Sequence, residues 1–462
     1  FQMNSFKPML LTSLKSYDRA QFAKDVTAGI IVAIIALPLS IALALASGVG
    51  PEAGIFTAIV AGFVISALGG SCVQIAGPTA AFATIVAGIV ARDGLEGLMT
   101  ATILAGVFLI IMGFCHFGSL IKFIPYTITT GFTSGIAVTI VIGQLKDFCG
   151  ITYPDGVKPI ETMEKLKAFA ENFSTISPDA LIVGGVSLAI LIVSPLIFKK
   201  IPGSLIAVIA GILMVQFLPL HVSTIGNLYT ISNALPTLHL PVFDMKLIQS
   251  AIPNAFTIAV LAAIESLLSC VVADGMINSK HRSDTELIAQ GAGNIASALF
   301  GGIPATGAIA RTAANIKNGG RTPVAGIVHS ITLVIVLVVL MPFAGMIPMP
   351  TIAAILFLVA YNMCQWRTFV HLVRTAPKSD IIVLFTTFVL TVVFDLVVAI
   401  EIGMVLACLL FIKRMSEETH ADSWVYVDDD SPAVDEHLQK LPLEIRVYEI
   451  TGPVSYTHLR AH

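Results

Sequence analysis

Two interrupted stretches decide how this sequence folds: GGSCVQIAGPTAAFATIVAG at residues 69–88 and GGIPATGAIARTAANI at residues 301–316. Each follows a run of small residues. Each opens on a glycine pair and leads in eight residues to a point, Pro78 or Ala310, beside which an Ala/Thr/Ile-rich helix resumes. Glycine pairs alone are ordinary packing residues in membrane helices. The matched spacing and the matched position, seven segments apart, favour an internal repeat. An odd number of crossings per half inverts the second copy, which is the architecture in which broken helices meet near the bilayer midplane and hold a substrate.

Working outward, apolar runs near the roughly 20 residues that cross a bilayer fall at 24–46, 52–68, 98–115, 122–143, 179–198, 203–219, 251–273, 323–345 and 381–413. The interrupted stretches 74–90 and 286–316 and a short run at 350–362 add to these. Dividing the last run at Asp395 and the second interruption near Gly301-Gly302 yields fourteen segments. The composition agrees with a membrane class. Of 462 residues, 56% are hydrophobic and 12% charged, about half the roughly 25% charged of soluble domains. A net charge of -3 argues against a nucleic-acid partner. Six scattered cysteines form no CxxC pair and suggest neither a disulfide framework nor a zinc site. The first apolar run, with Asp25 at its head, is too long for a secretory leader.

Lys and Arg near membrane ends stay cytoplasmic. With the N-terminus inside, seventeen of the 26 Lys and Arg, Arg311 among them, fall on the cytoplasmic face and six outside, four of these in the loop 145–177. That asymmetry places both termini in the cytoplasm. Residues 1–22 read as a cytoplasmic segment and 23–415 as the membrane domain, with repeats at 23–219 and 250–415. The span 416–440 reads as an acidic linker, and 441–462 as the beginning of a further domain in which 443–450 (LEIRVYEI) alternates like a strand.

Backbone that leaves the helix at membrane depth must line a cavity or be buried in protein. At the first break Pro78 suits position N1 of a helix, leaving free amides near Thr79, Ala80 and Ala81. At the second, the helix is expected to start within Ala308, Ile309, Ala310 and Arg311. Two facing helix N-termini, each partly positive, make an anion site, and Arg311 adds a full charge there, although it could instead snorkel from a helix end. Thr79 and Thr306 could equally back-bond to their own helices.

Glu265 is the carboxylate in the middle of the apolar run TIAVLAAIESLLSCVV. Such a residue faces a cavity, finds a partner or takes up a proton; a group that exchanges its proton as access alternates is a proton carrier, and a packing lock is the structural alternative. Ser269 lies one turn further on the same face. Asp274 and Asp395 read as end and turn residues, Glu401 as a structural buried acid, and His116, His329 and His371 as interfacial residues with no partner at ligand spacing. No Ser/His/Asp, Walker or glycine-fingerprint pattern appears in a fitting context, so an enzyme or an ATP-driven pump is disfavoured.

The stretches ALPLSIALALASGVGPEAGIFTAIVAG (36–62), IAGPTAAFATIVAG (75–88), AAIESLLSCVVADGM (262–276) and FGGIPATGAIARTAANIKNGGRTPVAG (300–326) resemble the SulP family of anion transporters. The likeness runs over residues 15–415. It implies an all-α polytopic protein with a seven-plus-seven inverted repeat and half-helices in segments 3 and 10. Elevator-type alternating access, a homodimer, a bacterial cytoplasmic membrane and a C-terminal STAS domain, of which LEIRVYEITGPV is similar to the first strand, follow from the same resemblance. It also implies an anion site at Leu39 and Leu43, at Pro78, Thr79 and Ala80, and at Ala308 to Arg311, with no cofactor. The sodium-coupled bicarbonate members use an Asp where Glu265 stands, with hydroxyl partners matching Ser269 and Ile309. Ile309 has no hydroxyl, so protons rather than sodium are the expected coupling ion. A sodium-coupled bicarbonate symporter, an uncoupled exchanger or channel, and a nucleobase permease of related fold are the alternatives.

Overall fold

The computed structural model describes residues 6–119, 126–154, 159–197, 202–241 and 244–394, six helical residues between 402 and 410, and two short strands near the C-terminus. A short α1 (Met9–Ser13) precedes α2 (Arg19–Ala46) and α3 (Pro51–Leu68), which lead into the two-residue β1 (Ala76–Gly77). Then come α4 (Ala80–Phe114), α5 (Tyr126–Cys149), α6 (Thr162–Glu171), α7 (Pro178–Ile197), α8 (Gly203–Phe217) and the single turn α9 (Ile225–Leu228). The second half runs through α10 (Met245–Ile277), α11 (Ser283–Leu299), β2 (Thr306–Gly307), α12 (Ile309–Lys317), α13 (Val324–Ala344), α14 (Met349–Cys364), α15 (Trp366–Thr375) and α16 (Lys378–Val393). β3 (His420–Trp424) pairs antiparallel with β4 (Val447–Thr451), within the stretch whose alternation reads as a strand. Asp395 and Glu401 lie outside the described residues.

Eight helical spans among the described residues are long and apolar enough to cross a membrane. One of them, α4, is two helices: Gly94 takes φ 69°, a left-handed conformation that breaks the run into 80–93 and 95–114. The loop expected at 145–177 carries α6, a helix the sequence reading did not anticipate.

Lipid gives helices no hydrophobic reason to associate, so they pack through small residues that let backbones approach. The crossing of α4 and α11 shows this. A Cβ on Gly106 would lie 2.6 Å from the Gly291 carbonyl oxygen, and one on Gly291 would lie 2.5 Å from that of Gly106. A core of Ala, Ile and Leu from α2, α3, α4, α5, α10, α13 and α14 lies inside. Large apolar residues such as Ile192, Leu196, Ile335 and Val339 point outward, as lipid-facing residues do.

β1 and β2 bring the two interruptions together. Ala76 pairs with Gly307 and Gly77 with Thr306, antiparallel, so α4 and α12 leave the pair in opposite directions with their N-termini at the crossing. Two expectations are corrected here. Pro78 does not occupy N1; it precedes the N-cap Thr79, and α4 starts at Ala80. The cap of α12 is Ala308, six residues after Gly302, whereas Thr79 follows Gly70 by nine. The glycine pairs therefore do not set the repeat register. The first connector spends three more residues on a separate polar contact described below.

Candidate functional site

An N-cap Thr normally bonds an amide of the first turn. Thr79 makes no such cap. Its hydroxyl donates across to Glu265 Oε2 at 3.0 Å, and Ala308, capping α12, has no hydroxyl to offer. Both helix starts thus lack a side-chain cap, and apart from Phe82, whose amide bonds the Thr79 carbonyl at 3.3 Å, their first-turn amides have no intrahelical acceptor and no side-chain cap. That is the property an anion site needs. Ala308 and Thr79 are half-buried, Ala80 and Pro78 are buried, and Ile309 and Ala310 are exposed beside them.

Arg311 joins the two breaks. It is 1% exposed, one Nη donates to the Pro78 carbonyl at 2.9 Å, and the other lies where a Cβ on Gly77 would be. Its Nε and that second Nη have no hydrogen-bond partner among the described residues. Arg311 therefore leaves the set of cytoplasmic end residues, and snorkelling is ruled out: the guanidinium turns inward to the first break. Leu43 is packed in the core and Leu39 is half-buried on α2, a helix that packs against both α4 and α12. Thr306 does not back-bond to its own helix; its hydroxyl donates to the Ala262 carbonyl of α10 at 2.9 Å.

Glu265 is half-buried, and Thr79 is its hydrogen-bond partner among the described residues. Ser269 is buried without reaching Glu265. Its hydroxyl donates to Thr312 Oγ1 at 3.4 Å, and that same oxygen accepts the Ile75 amide at 3.1 Å.

Sequence reasoning treated Glu265 as the chain's isolated membrane carboxylate and missed two others. Glu286, fully buried, accepts the amides of Gly70 at 2.8 Å and Ser71 at 3.2 Å on Oε2. On Oε1 it accepts Gln74 Nε2 and Gln290 Nε2, both at 2.9 Å, and the Ser266 hydroxyl at 3.4 Å. This is the contact that lengthens the first connector. The local pattern Ser283-Asp284-Thr285-Glu286 reads as an ordinary capping box, so nothing nearby in sequence marks the residue. Asp25, also fully buried, receives Thr322 Oγ1 at 2.6 Å and Tyr17 Oη, Gln21 Nε2 and the Arg321 amide, each at 2.9 Å. It ties the N-terminal segment to the turn after α12. Burial, reinforced by the Asp25 carboxylate, pushes the Tyr17 phenol up to about 12.

Of the three histidines read as interfacial, His329 is corrected. His329 is fully buried in α13 with both ring nitrogens unpaired. His116 lies at an exposed helix end but has a partner, with Nδ1 at 2.7 Å from Asp284 Oδ2. His371 is exposed on α15.

A multi-pass membrane bundle broken by two paired half-helices, with an arginine strung between them, defines a class of membrane carrier rather than an enzyme. Within that class the chain belongs to the sulfate permease family, whose model matches residues 22–387. It is 40% identical to the Bacillus subtilis (strain 168) protein YvdB over 96% of this chain and 82% of that one. It is 35% identical to the bicarbonate transporter BicA of Picosynechococcus sp. (strain ATCC 27264 / PCC 7002 / PR-6), over 85% of this chain and 70% of the relative. The solved transmembrane domain of a cyanobacterial BicA superposes with a TM-score of 0.75 at 30% identity, covering 83% of this chain and 98% of that domain. The murine anion transporter Slc26a9 in its inward-facing state gives 0.84 at 19% identity, over 95% and 76%, a likeness of fold.

Proposed function

We propose that this chain is a secondary active carrier of small oxyanions, of the sulfate and bicarbonate class, driven by protons through Glu265. The observation that carries the reading is that Thr79, the cap of one half-helix, bonds Glu265 instead of its own helix. An ionised Glu265 accepts that hydroxyl. A protonated one is a weaker acceptor without negative charge, which lets the Thr79 hydroxyl donate to the anion and removes the repulsion between carboxylate and anion, so proton and anion occupancy favour each other. The family's description as sulfate permeases and the bicarbonate transport named for BicA support the substrate class. Sodium coupling is disfavoured because Ile309 offers no oxygen and the Ser269 hydroxyl is engaged with Thr312.

In this reading the chain crosses the membrane fourteen times as two inverted repeats of seven. Both termini lie in the cytoplasm of a bacterial cell, the protein is a homodimer, the unit carrying the half-helices moves as an elevator, and the C-terminal strands begin a STAS domain. The test is uptake of labelled sulfate and bicarbonate into proteoliposomes, with an imposed inward proton gradient and choline in place of sodium. Accumulation above equilibrium is expected for at least one anion, and Glu265→Gln should bring it down to the equilibrium level without abolishing anion binding. Accumulation that requires sodium, or a Gln variant that keeps its pH dependence, overturns the proton role.

A further inference from the structure

α15 is a ten-residue helix without a buried residue, held between α14 and α16. At helical spacing its residues divide into two faces. Phe369 packs edge-on against Phe385 and Phe388 of α16, with ring centroids 5.7 and 5.5 Å apart, while Trp366 and Val370 on the same apolar side stay 46% and 37% exposed. Arg367, His371 and Arg374, at i, i+4 and i+7, form the other side and are exposed, as is Lys378 at the head of α16. No Asp or Glu occurs from 361 to 379. The Arg367 guanidinium stands 5.6 Å from the centroid of the Trp366 ring, so the apolar anchor and the cationic edge meet at one spot.

From this geometry we propose that α15 lies in the plane of the cytoplasmic membrane surface and binds the headgroups of anionic phospholipids. Three arguments choose lipid as the occupant. The left-handed turn at Gln365, φ 43°, redirects the chain out of the α14 axis, and α16 begins three residues after the end of α15, entering an apolar run from Ile381. The helix is therefore held at the depth where a membrane helix ends. A tryptophan with an apolar body and a polar edge favours that depth. A basic strip with no acidic residue complements a negatively charged leaflet, whereas amphipathic helices of this composition lie in the interface plane rather than spanning it.

The chain has two tryptophans, so Trp424→Phe leaves Trp366 as the sole tryptophan, excited selectively over tyrosine at the red edge, and the measurement requires no transport. The protein is reconstituted in phosphatidylcholine vesicles that carry a fixed fraction of brominated phosphatidylglycerol or, in parallel, brominated phosphatidylcholine. The anionic lipid is expected to quench Trp366 at least about twofold more strongly. Molar salt should erase the difference, Arg367→Gln with Arg374→Gln should bring the ratio to one, and Arg367→Lys with Arg374→Lys should keep it. Equal quenching by both lipids overturns headgroup selection. Absence of quenching by either means that protein, a second copy or the C-terminal region, covers this face, and overturns the lipid assignment. Size-exclusion elution confirms that each variant is folded before it is read.

Discussion

Glu286→Leu is expected to lower thermal stability severely, Glu286→Gln to lower it clearly, and Glu265→Gln to leave it almost unchanged, as read by the midpoint of heat-induced loss of the monodisperse peak in detergent. All five groups around Glu286 donate: two backbone amides, two side-chain amides and a hydroxyl. Only a carboxylate, which accepts on both oxygens, matches them. Leucine orphans buried donors at about 1–3 kcal/mol each, a large part of the roughly 5–15 kcal/mol that separates a typical folded protein from its unfolded ensemble once two or more go unsatisfied. The backbone amides of Gly70 and Ser71 cannot turn away, and they are the ones that will. Glutamine keeps an oxygen toward Gly70 and Ser71. Its new amide then faces Gln74, Ser266 and Gln290, which can rotate, and the Gln290 side-chain Oε1, without a partner among the described residues, becomes an acceptor. The expected cost is about 2 kcal/mol, the range of a lost charge-assisted hydrogen bond. Glu265 has a single donor, half exposed, and its amide substitute can still accept from Thr79. Equal losses for the Gln variants at 265 and 286 would show that Glu265 is a packing lock after all.

The contrast between these two acids explains what was legible in the sequence. Lipid imposes constraints that act on local runs: length, hydropathy, and the few places where a helix stops. The apolar spans, the two breaks and the region of the second half-helix start could therefore be read directly. Glu286 could not, because the donors it serves on the first connector lie 212 to 216 residues away in sequence and its own neighbourhood reads as a polar helix start. The extra length of that connector was the one trace of the contact, and glycine-pair spacing concealed it. His329 misled in the same way. A histidine in the second turn of a helix looks interfacial until the elements packed around it are known, and here they bury it.

Arg311→Ala is expected to weaken anion binding roughly 10- to 150-fold, the factor that corresponds to the roughly 1.5–3 kcal/mol of a hydrogen bond to a charged group. Two roles compete for this residue. As an electrostatic element it supplies a full positive charge beside two uncapped helix starts, in surroundings where charge is weakly screened. As a strut it ties α12 to the Pro78 carbonyl. Gly77→Ala separates them, because the added Cβ takes the place of one Nη and so displaces the guanidinium from the first break while leaving its charge in the protein. If the strut is what matters, Gly77→Ala and Arg311→Ala lose binding and thermal stability together and to a similar degree. If the charge is what matters, Gly77→Ala retains most of the affinity, Arg311→Lys retains part of it, and Arg311→Ala loses it with little change in melting. Titration calorimetry with sulfate and bicarbonate on the purified variants, alongside their melting curves, gives both readouts on the same samples. Wild-type affinity in Arg311→Ala would place the anion away from this arginine, on the helix amides alone.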